Sequence, residues 1–134
     1  EALDAGYDEA IMLNNNGKVA EGSAENIFVV KNGKITTPPL DADILNGITR
    51  DSAIKLLKSN KIKVIEKNIK ISDLLKADEI FMTGTAAEVK SVTRVDKTKI
   101  GNGKIGEVTK ELQDSFMDTV MGKNKKFLSW LRFI

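Results

Sequence analysis

EGSAENIFVVKNGKITTPP, residues 21–39, is the stretch that decides how the chain folds. Its middle, residues 26–31 (NIFVVK), is rich in β-branched and aromatic side chains and predicts a strand. Asn32-Gly33 follows. Both residue types tolerate positive φ, and the pair is the strongest short signal for a tight hairpin turn. Residues 34–37 then predict the returning strand, ended by Pro38-Pro39 because proline has no N–H to give a ladder. Ahead of the strand, Glu21-Gly22-Ser23-Ala24-Glu25-Asn26 sets two acids among small residues. Small residues let a flat ligand or another backbone come close. The plainer alternative is a polar lead into the strand with solvated acids.

Outward from this hairpin, helices and strands mix without a regular alternation. Upstream, residues 8–13 read as a short strand, and Asn14-Asn15-Asn16-Gly17 as a turn. Downstream, residues 49–60 predict a helix with Ala53, Ile54 and Leu57 on one face and Lys55 and Lys58 outside. Residues 61–69 read as a strand with a register irregularity, and Ser72 as the cap of a short helix through Lys76. Residues 77–83, around Ile80-Phe81-Met82, predict a buried strand, and residues 88–95 another. Residues 108–121 predict the longest helix, with Leu112, Phe116, Met117 and Val120 on one side, and residues 127–133 a short terminal one. This pattern favours an α+β fold over a doubly wound sheet.

The chain has 134 residues, which suits a single domain spanning residues 1–134. Its 21 basic and 19 acidic residues nearly cancel, and no basic block exceeds Lys125-Lys126, so a nucleic-acid partner has no electrostatic footprint. With no Cys and no His, thiolate chemistry, disulfides, catalytic triads and imidazole ligands are excluded. Acid–base work must fall to Lys, Asp, Glu, the single Tyr7 or a cofactor. Lack of Cys fits a cytoplasmic protein. No apolar run approaches the ~18 residues of a spanning helix, so no membrane partner is expected. The chain opens on Glu1-Ala2-Leu3 without Met and reads as a fragment or processed product.

Two further segments join Glu21 as candidates. Gly47 precedes a helix start, where free N–H groups and the helix dipole can hold a phosphate, although Thr49 could serve as an ordinary cap. Gly84-Thr85-Ala86-Ala87-Glu88 ends a buried strand and could offer N–H groups and a hydroxyl to an anion, although Thr85 and Glu88 also fit a capping box. A fourth motif, Gly101-Asn102-Gly103-Lys104-Ile105-Gly106, matches G-x-G-x-x-G, but the mostly charged residues 96–100 before it are no buried strand. It reads as a surface loop leading into a helix.

Taken in order, EGSAENIF (residues 21–28), Thr37-Pro38-Pro39-Leu40, Gly47-Ile48-Thr49-Arg50-Asp51, Ala77-Asp78-Glu79-Ile80-Phe81 and Gly84-Thr85-Ala86-Ala87-Glu88 closely resemble the branched-chain aminotransferases, class IV enzymes that use pyridoxal 5′-phosphate. Ile100-Gly101-Asn102-Gly103-Lys104 and Trp130-Leu131 also fit, so the resemblance covers the whole chain. It implies the family's α+β large-domain pseudobarrel. It also implies transfer of an amino group between branched-chain amino acids (Leu, Ile, Val) and 2-oxoglutarate, by a homo-oligomeric enzyme. By resemblance, Glu21 pairs with the coenzyme's pyridine nitrogen, and Leu45 packs on the ring face. Ile48 and Thr49 N–H groups and the Thr85 hydroxyl hold the phosphate, and Thr85 and Ala86 N–H groups receive the substrate carboxylate. The family's D-amino-acid aminotransferases and aminodeoxychorismate lyases are the alternatives within the fold, and a non-catalytic interaction domain is the alternative outside it.

Three positions depart from the family pattern: Ala24 where glycine is common, and Ile105 and Glu107 in place of frequent prolines. A larger departure is the Schiff-base lysine, which the family places a few tens of residues ahead of the Glu21 strand. Only Lys18 lies upstream of Glu21, too near to match. The resemblance therefore puts that lysine, and the small amino-terminal domain, before residue 1, and the chain on its own is expected to be inactive.

Overall fold

The computed structural model describes residues 1–132 and residue 134. Strand β3 (Asn26–Lys31) is its hub. Five consecutive residues of the run are buried, because both faces of the sheet are covered, and this is why NIFVVK is continuously apolar in its middle rather than alternating. The expected hairpin leads to the returning strand Lys34–Thr37 through Asn32 (φ 50°) and Gly33 (φ 72°), both in the left-handed region a tight turn demands. Asp78 clamps this turn. Its carboxylate accepts from Lys31 Nζ and from the Asn32 N–H, each at 2.8 Å. Lys31, then the Asn32 N–H, hold the Asp78 carboxyl below its ordinary range, so its stabilisation is present above that range and fades as pH falls.

Numbered in chain order, the strands among the described residues are β1 (Ile11–Leu13), β2 (Val19–Gly22), β3, β4 (Lys34–Thr37), β5 (Val64–Glu66), β6 (Glu79–Gly84), β7 (Glu88–Val92), β8 (Arg94–Val95) and β9 (Thr98–Lys99). The helices are α1 (Ile48–Ser59), α2 (Ile71–Leu75) and α3 (Glu107–Val120), followed by a 3₁₀ helix, Lys125–Trp130. One edge of β3 runs antiparallel to β6 from Asn26↔Thr83 to Val30↔Glu79, and β7 continues the sheet beyond β6. The other edge changes partner part-way. It pairs with β2 at Glu21↔Asn26 and with β4 from Val29↔Thr36 onward. Between them Pro38 has no N–H to extend β4, and the buried Thr37 hydroxyl donates to the Ile27 carbonyl at 2.8 Å instead. β5 lies parallel to β4, as a helical crossover through α1 allows.

The two faces carry separate cores. Phe28, Val30, Phe81 and Val89 meet Ala53, Leu56 and Leu57 of α1 and Leu112 of α3. Phe28 and Phe81, paired across β3 and β6, stack at 4.8 Å with their planes 9° apart. On the other face Val19, Ile27, Val29, Ile80 and Met82 pack with Ile69, Leu74 and Ile100.

The α+β expectation holds, with corrections in detail. The strand expected at 8–13 shortens to β1, and β2 was not foreseen as a strand. Residues 61–69 hold only three residues of strand, β5, and a single bridge from Ile69 to Val19, since Lys61 adopts positive φ and turns the chain. Helix α2 starts from Lys70, not Ser72, and Asp73 reaches back to accept from the Lys70 N–H at 3.2 Å. Residues 88–95 divide into β7 and β8. Helix α1 buries Arg50 and Leu56 beside Ala53 and Leu57, with Ile54 only partly covered. On α3 the buried residues are Thr109, Leu112 and Thr119, while Met117 and Val120 stay exposed. The terminal helix is the 3₁₀ turn; the end expected at Phe133 lies outside the described residues. Ahead of the glycine loop at 101–106 stands only β9, two exposed residues, so the surface-loop reading of that motif holds.

Helix α3 begins without a cap of its own at Gly106. The Glu79 carboxylate, from the start of β6, fills that role. It accepts from the Val108 N–H at 3.1 Å, the Thr109 N–H at 2.8 Å and the Thr109 hydroxyl at 2.7 Å. Gly106 must be glycine, because a side chain there would occupy the space of Glu79. Replacing a capping carboxylate costs about 1–2 kcal/mol. Glu79→Ala is expected to lower stability by about that amount in urea unfolding and to loosen α3 first, seen as faster amide exchange at Val108 and Thr109.

Candidate functional site

Asn26 opens β3 and is 4% exposed. A buried amide must find partners, and this one finds them on two segments distant in sequence. Its Nδ2 donates to Glu21 Oε2 at 3.2 Å and to the Leu45 carbonyl at 2.8 Å. Two acceptors on that side fix the orientation of the amide, since a flipped carbonyl would face two oxygens. The Leu45 N–H closes the circuit by donating to Glu21 Oε2 at 3.0 Å. Both donors therefore hold one oxygen of Glu21. Nothing among the described residues donates to the other, Oε1.

The same circuit places α1. Gly47 stands where a side chain would collide with the Asn26 amide oxygen, so only glycine lets the helix start this close to β3. Thr49 is not the cap; Gly47 is, and having no side chain it leaves the N–H groups of Ile48 and Thr49 without a side-chain partner. The contrast with α3, whose start is filled by Glu79, is direct. Arg50 anchors the first turn from below. It is 3% exposed and its Nη2 donates to the Pro38 carbonyl at 3.1 Å and to Glu66 at 2.6 Å, tying α1 to the ends of β4 and β5. Leu45, whose N–H meets the Glu21 carboxylate, and Ile48, the first residue of α1, leave 75% and 84% of their surface bare.

The third segment reaches the same end of the sheet through β6, whose Thr83 is the Cα partner of Asn26. Thr85-Ala86-Ala87 is the hairpin turn from β6 to β7, so the capping-box alternative falls away. Glu88 takes φ 56°, as a three-residue hairpin loop requires at its close. Thr85 and Ala86 are exposed. Gly84 lets this hairpin lie against the 22–25 turn: a side chain there would meet Glu25 Cγ at 3.0 Å and the Ala24 carbonyl at 3.1 Å. The 22–25 turn is itself pinned by Glu9, whose Oε1 accepts from the Ser23 N–H at 3.1 Å and hydroxyl at 2.6 Å. Burial alone would push the Glu9 carboxyl up, but the Ser23 hydroxyl and the Ala10 and Ser23 N–H groups hold it below its ordinary range. Glu25 moves the other way, raised by burial and then by the neighbouring Glu9 charge, with Lys90 opposing.

Glu21, Leu45, Ile48, Thr49, Thr85 and Ala86 thus sit on three segments that meet around Asn26. Asn26, Glu9 and Arg50 did not stand out in the sequence, although each is a polar residue beside a quoted motif or within one. A groove of about 390 Å³ between α1 and α3, lined in part by Lys55, Phe116 and Trp130, touches this site only through Ile48. Among the described residues no helix is long and apolar enough to cross a membrane, and no cluster of acids suits a metal ion.

Arg50 gives a direct test of this scaffold. Arg50→Lys ends short of the place of Nη2, the one nitrogen that holds both acceptors, and the buried Pro38 carbonyl loses its partner. The expected cost is about 1–3 kcal/mol in urea unfolding. Glu66→Gln, at a half-exposed side chain, is expected to cost less than about 1 kcal/mol.

The model of the family "Amino-transferase class IV" matches residues 1–95. A probable branched-chain-amino-acid aminotransferase of Aquifex aeolicus is 54% identical over 132 residues, covering 98% of this chain and 42% of that protein. The crystal structure of a T.th. branched-chain amino acid aminotransferase with pyridoxamine 5′-phosphate superposes with a TM-score of 0.95 at 40% identity, over 98% of this chain and 43% of that one. The same enzyme complexed with N-(5′-phosphopyridoxyl)-L-glutamate gives 0.94 at 40% identity, over 98% and 44%. The chain thus spans less than half the length of the relatives it matches. A family match over most of its residues, on a fold shared over nearly the whole chain, means that the chain belongs to the class IV amino-transferases.

Proposed function

We propose that this chain is the coenzyme-binding domain of a branched-chain-amino-acid aminotransferase. The full-length protein would move an amino group between Leu, Ile or Val and 2-oxoglutarate with pyridoxal 5′-phosphate. The observation that carries the reading is the divided Glu21 carboxylate, one oxygen pinned by two donors and the other free. An oxygen so presented suits a cationic ring nitrogen.

The residues present fit such a group. Gly47 puts no side chain at the start of α1, and the N–H groups of Ile48 and Thr49 lie there without a side-chain cap, where an anion is favoured. Bare Leu45 offers a ring face a surface to cover, while exposed Thr85 adds a hydroxyl, and with Ala86 N–H groups, for phosphate or carboxylate oxygens. When bound, the coenzyme's protonated ring withdraws electrons from the substrate's reacting carbon. The part of Glu21 is to keep a proton on the ring nitrogen by placing a negative charge beside it. The lysine partner and the homo-oligomer implied by the resemblance, the single domain suggested by chain length and the cytoplasmic location suggested by the lack of Cys belong to the same proposal. The alternative activities within the family gain nothing from these relatives, which are named branched-chain-amino-acid aminotransferases.

Glu21→Gln keeps the shape and the acceptor for Leu45 and Asn26 but removes the charge. In the full-length protein it is expected to lower kcat with leucine and 2-oxoglutarate by about a hundred-fold or more, about 2.7 kcal/mol of barrier. Its urea midpoint should stay near that of the parent. Turnover equal to the parent's would remove Glu21 from this role.

A further inference from the structure

We infer that Asn26 is a positioning residue for the coenzyme chemistry, acting through Glu21; this rests on the coenzyme reading above. A glutamate side chain has three rotatable bonds, and a carboxylate placed at a ring nitrogen works only if it is held. Glu21 lies on β2, a short strand between β1 and β3 that meets β3 at Asn26, so the sheet fixes its backbone and leaves its side-chain torsions to be held by other contacts. Its restraint comes from the two donors on Oε2, the Asn26 amide and the Leu45 N–H. Asn26 also holds the Leu45 carbonyl, so it fixes the second donor as well as the first. One buried amide thereby sets both the direction of Oε1 and the place of the Leu45–Gly47 segment from which α1 starts.

Asn26 Nδ2 is spent on its two acceptors, and Oδ1 lies against Gly47, where a side chain would collide with it. With its donor spent on Glu21 and Leu45, Asn26 acts through Glu21 rather than as a contact residue. Asn26→Asp replaces the donor with an oxygen of the same size and sets it against Glu21 Oε2 and the Leu45 carbonyl. The Glu21 carboxylate then loses one donor, gains a like charge and turns away from its present direction.

The test uses the full-length protein and pyridoxal phosphate labelled with ¹⁵N at the ring nitrogen, whose chemical shift reports the proton on that atom. The parent is expected to show a protonated ring nitrogen. Asn26→Asp should move the signal toward the unprotonated form and weaken coenzyme affinity by about ten-fold. Should that variant not fold, Gly47→Ala reaches the same amide from its other side by driving a methyl into Oδ1, and should shift the signal the same way. In a Glu21→Gln background, adding Asn26→Asp should leave the signal where Glu21→Gln alone put it, because nothing remains for Asn26 to position. A parent-like signal and affinity in Asn26→Asp would overturn the proposal, as would an Asn26 effect of full size in the Glu21→Gln background. A parent that binds no coenzyme, or holds it with an unprotonated nitrogen, would instead overturn the role of Glu21 and this inference with it.

Discussion

Two hydrogen bonds converge on one carboxylate oxygen, Glu21 Oε2, and three parts of the chain depend on that meeting. The donors come from β3 and from the loop that leads to α1. The loop residues Leu45 and Asn46 are exposed and bury no core, so within the loop it is the polar contacts that hold it to β3. The sheet end, the helix start and the acid are therefore positioned by a polar circuit laid over an apolar scaffold. Such circuits specify geometry more than they stabilise it, since each group exchanges water for a protein partner at small net gain.

The scaffold beneath explains why the circuit can be so small. β3 is buried on both faces and fixed in register along five residues of β6, with Phe28 stacked on Phe81. Arg50 secures the first turn of α1 to two strand ends. With the backbone held by these contacts, two glycines set the close approaches. Gly47 admits α1 to the side of Asn26, and Gly84 admits the β6–β7 hairpin to the 22–25 turn. A methyl at either position would part segments that the site needs together.

The hairpin at the centre of the fold was legible because its signals are local: β-branched residues, Asn-Gly, then two prolines. β2 was not, because VAEG carries no alternation and its place is set by pairing with Asn26 and Leu13. The buried face of α3 was misjudged because two of its buried residues are threonines whose hydroxyls are satisfied out of view. Thr109 donates to Glu79, and Thr119 donates to the Ser115 carbonyl. The candidate residues could be named because resemblance picked out Glu21, Gly47-Ile48-Thr49 and Thr85-Ala86. Asn26 stood inside the first motif and was passed over, since the worth of a buried amide lies in partners that no local window contains.

A crystal structure of the full-length protein with pyridoxal phosphate would measure the central claim most directly. It should place the ring nitrogen within hydrogen-bond distance of Glu21 Oε1, with Oε2 still held by Asn26 and Leu45 and the phosphate against the N–H groups of Ile48 and Thr49. A coenzyme seated elsewhere, or a Glu21 carboxylate turned from the ring with its Oε2 contacts intact, would contradict it.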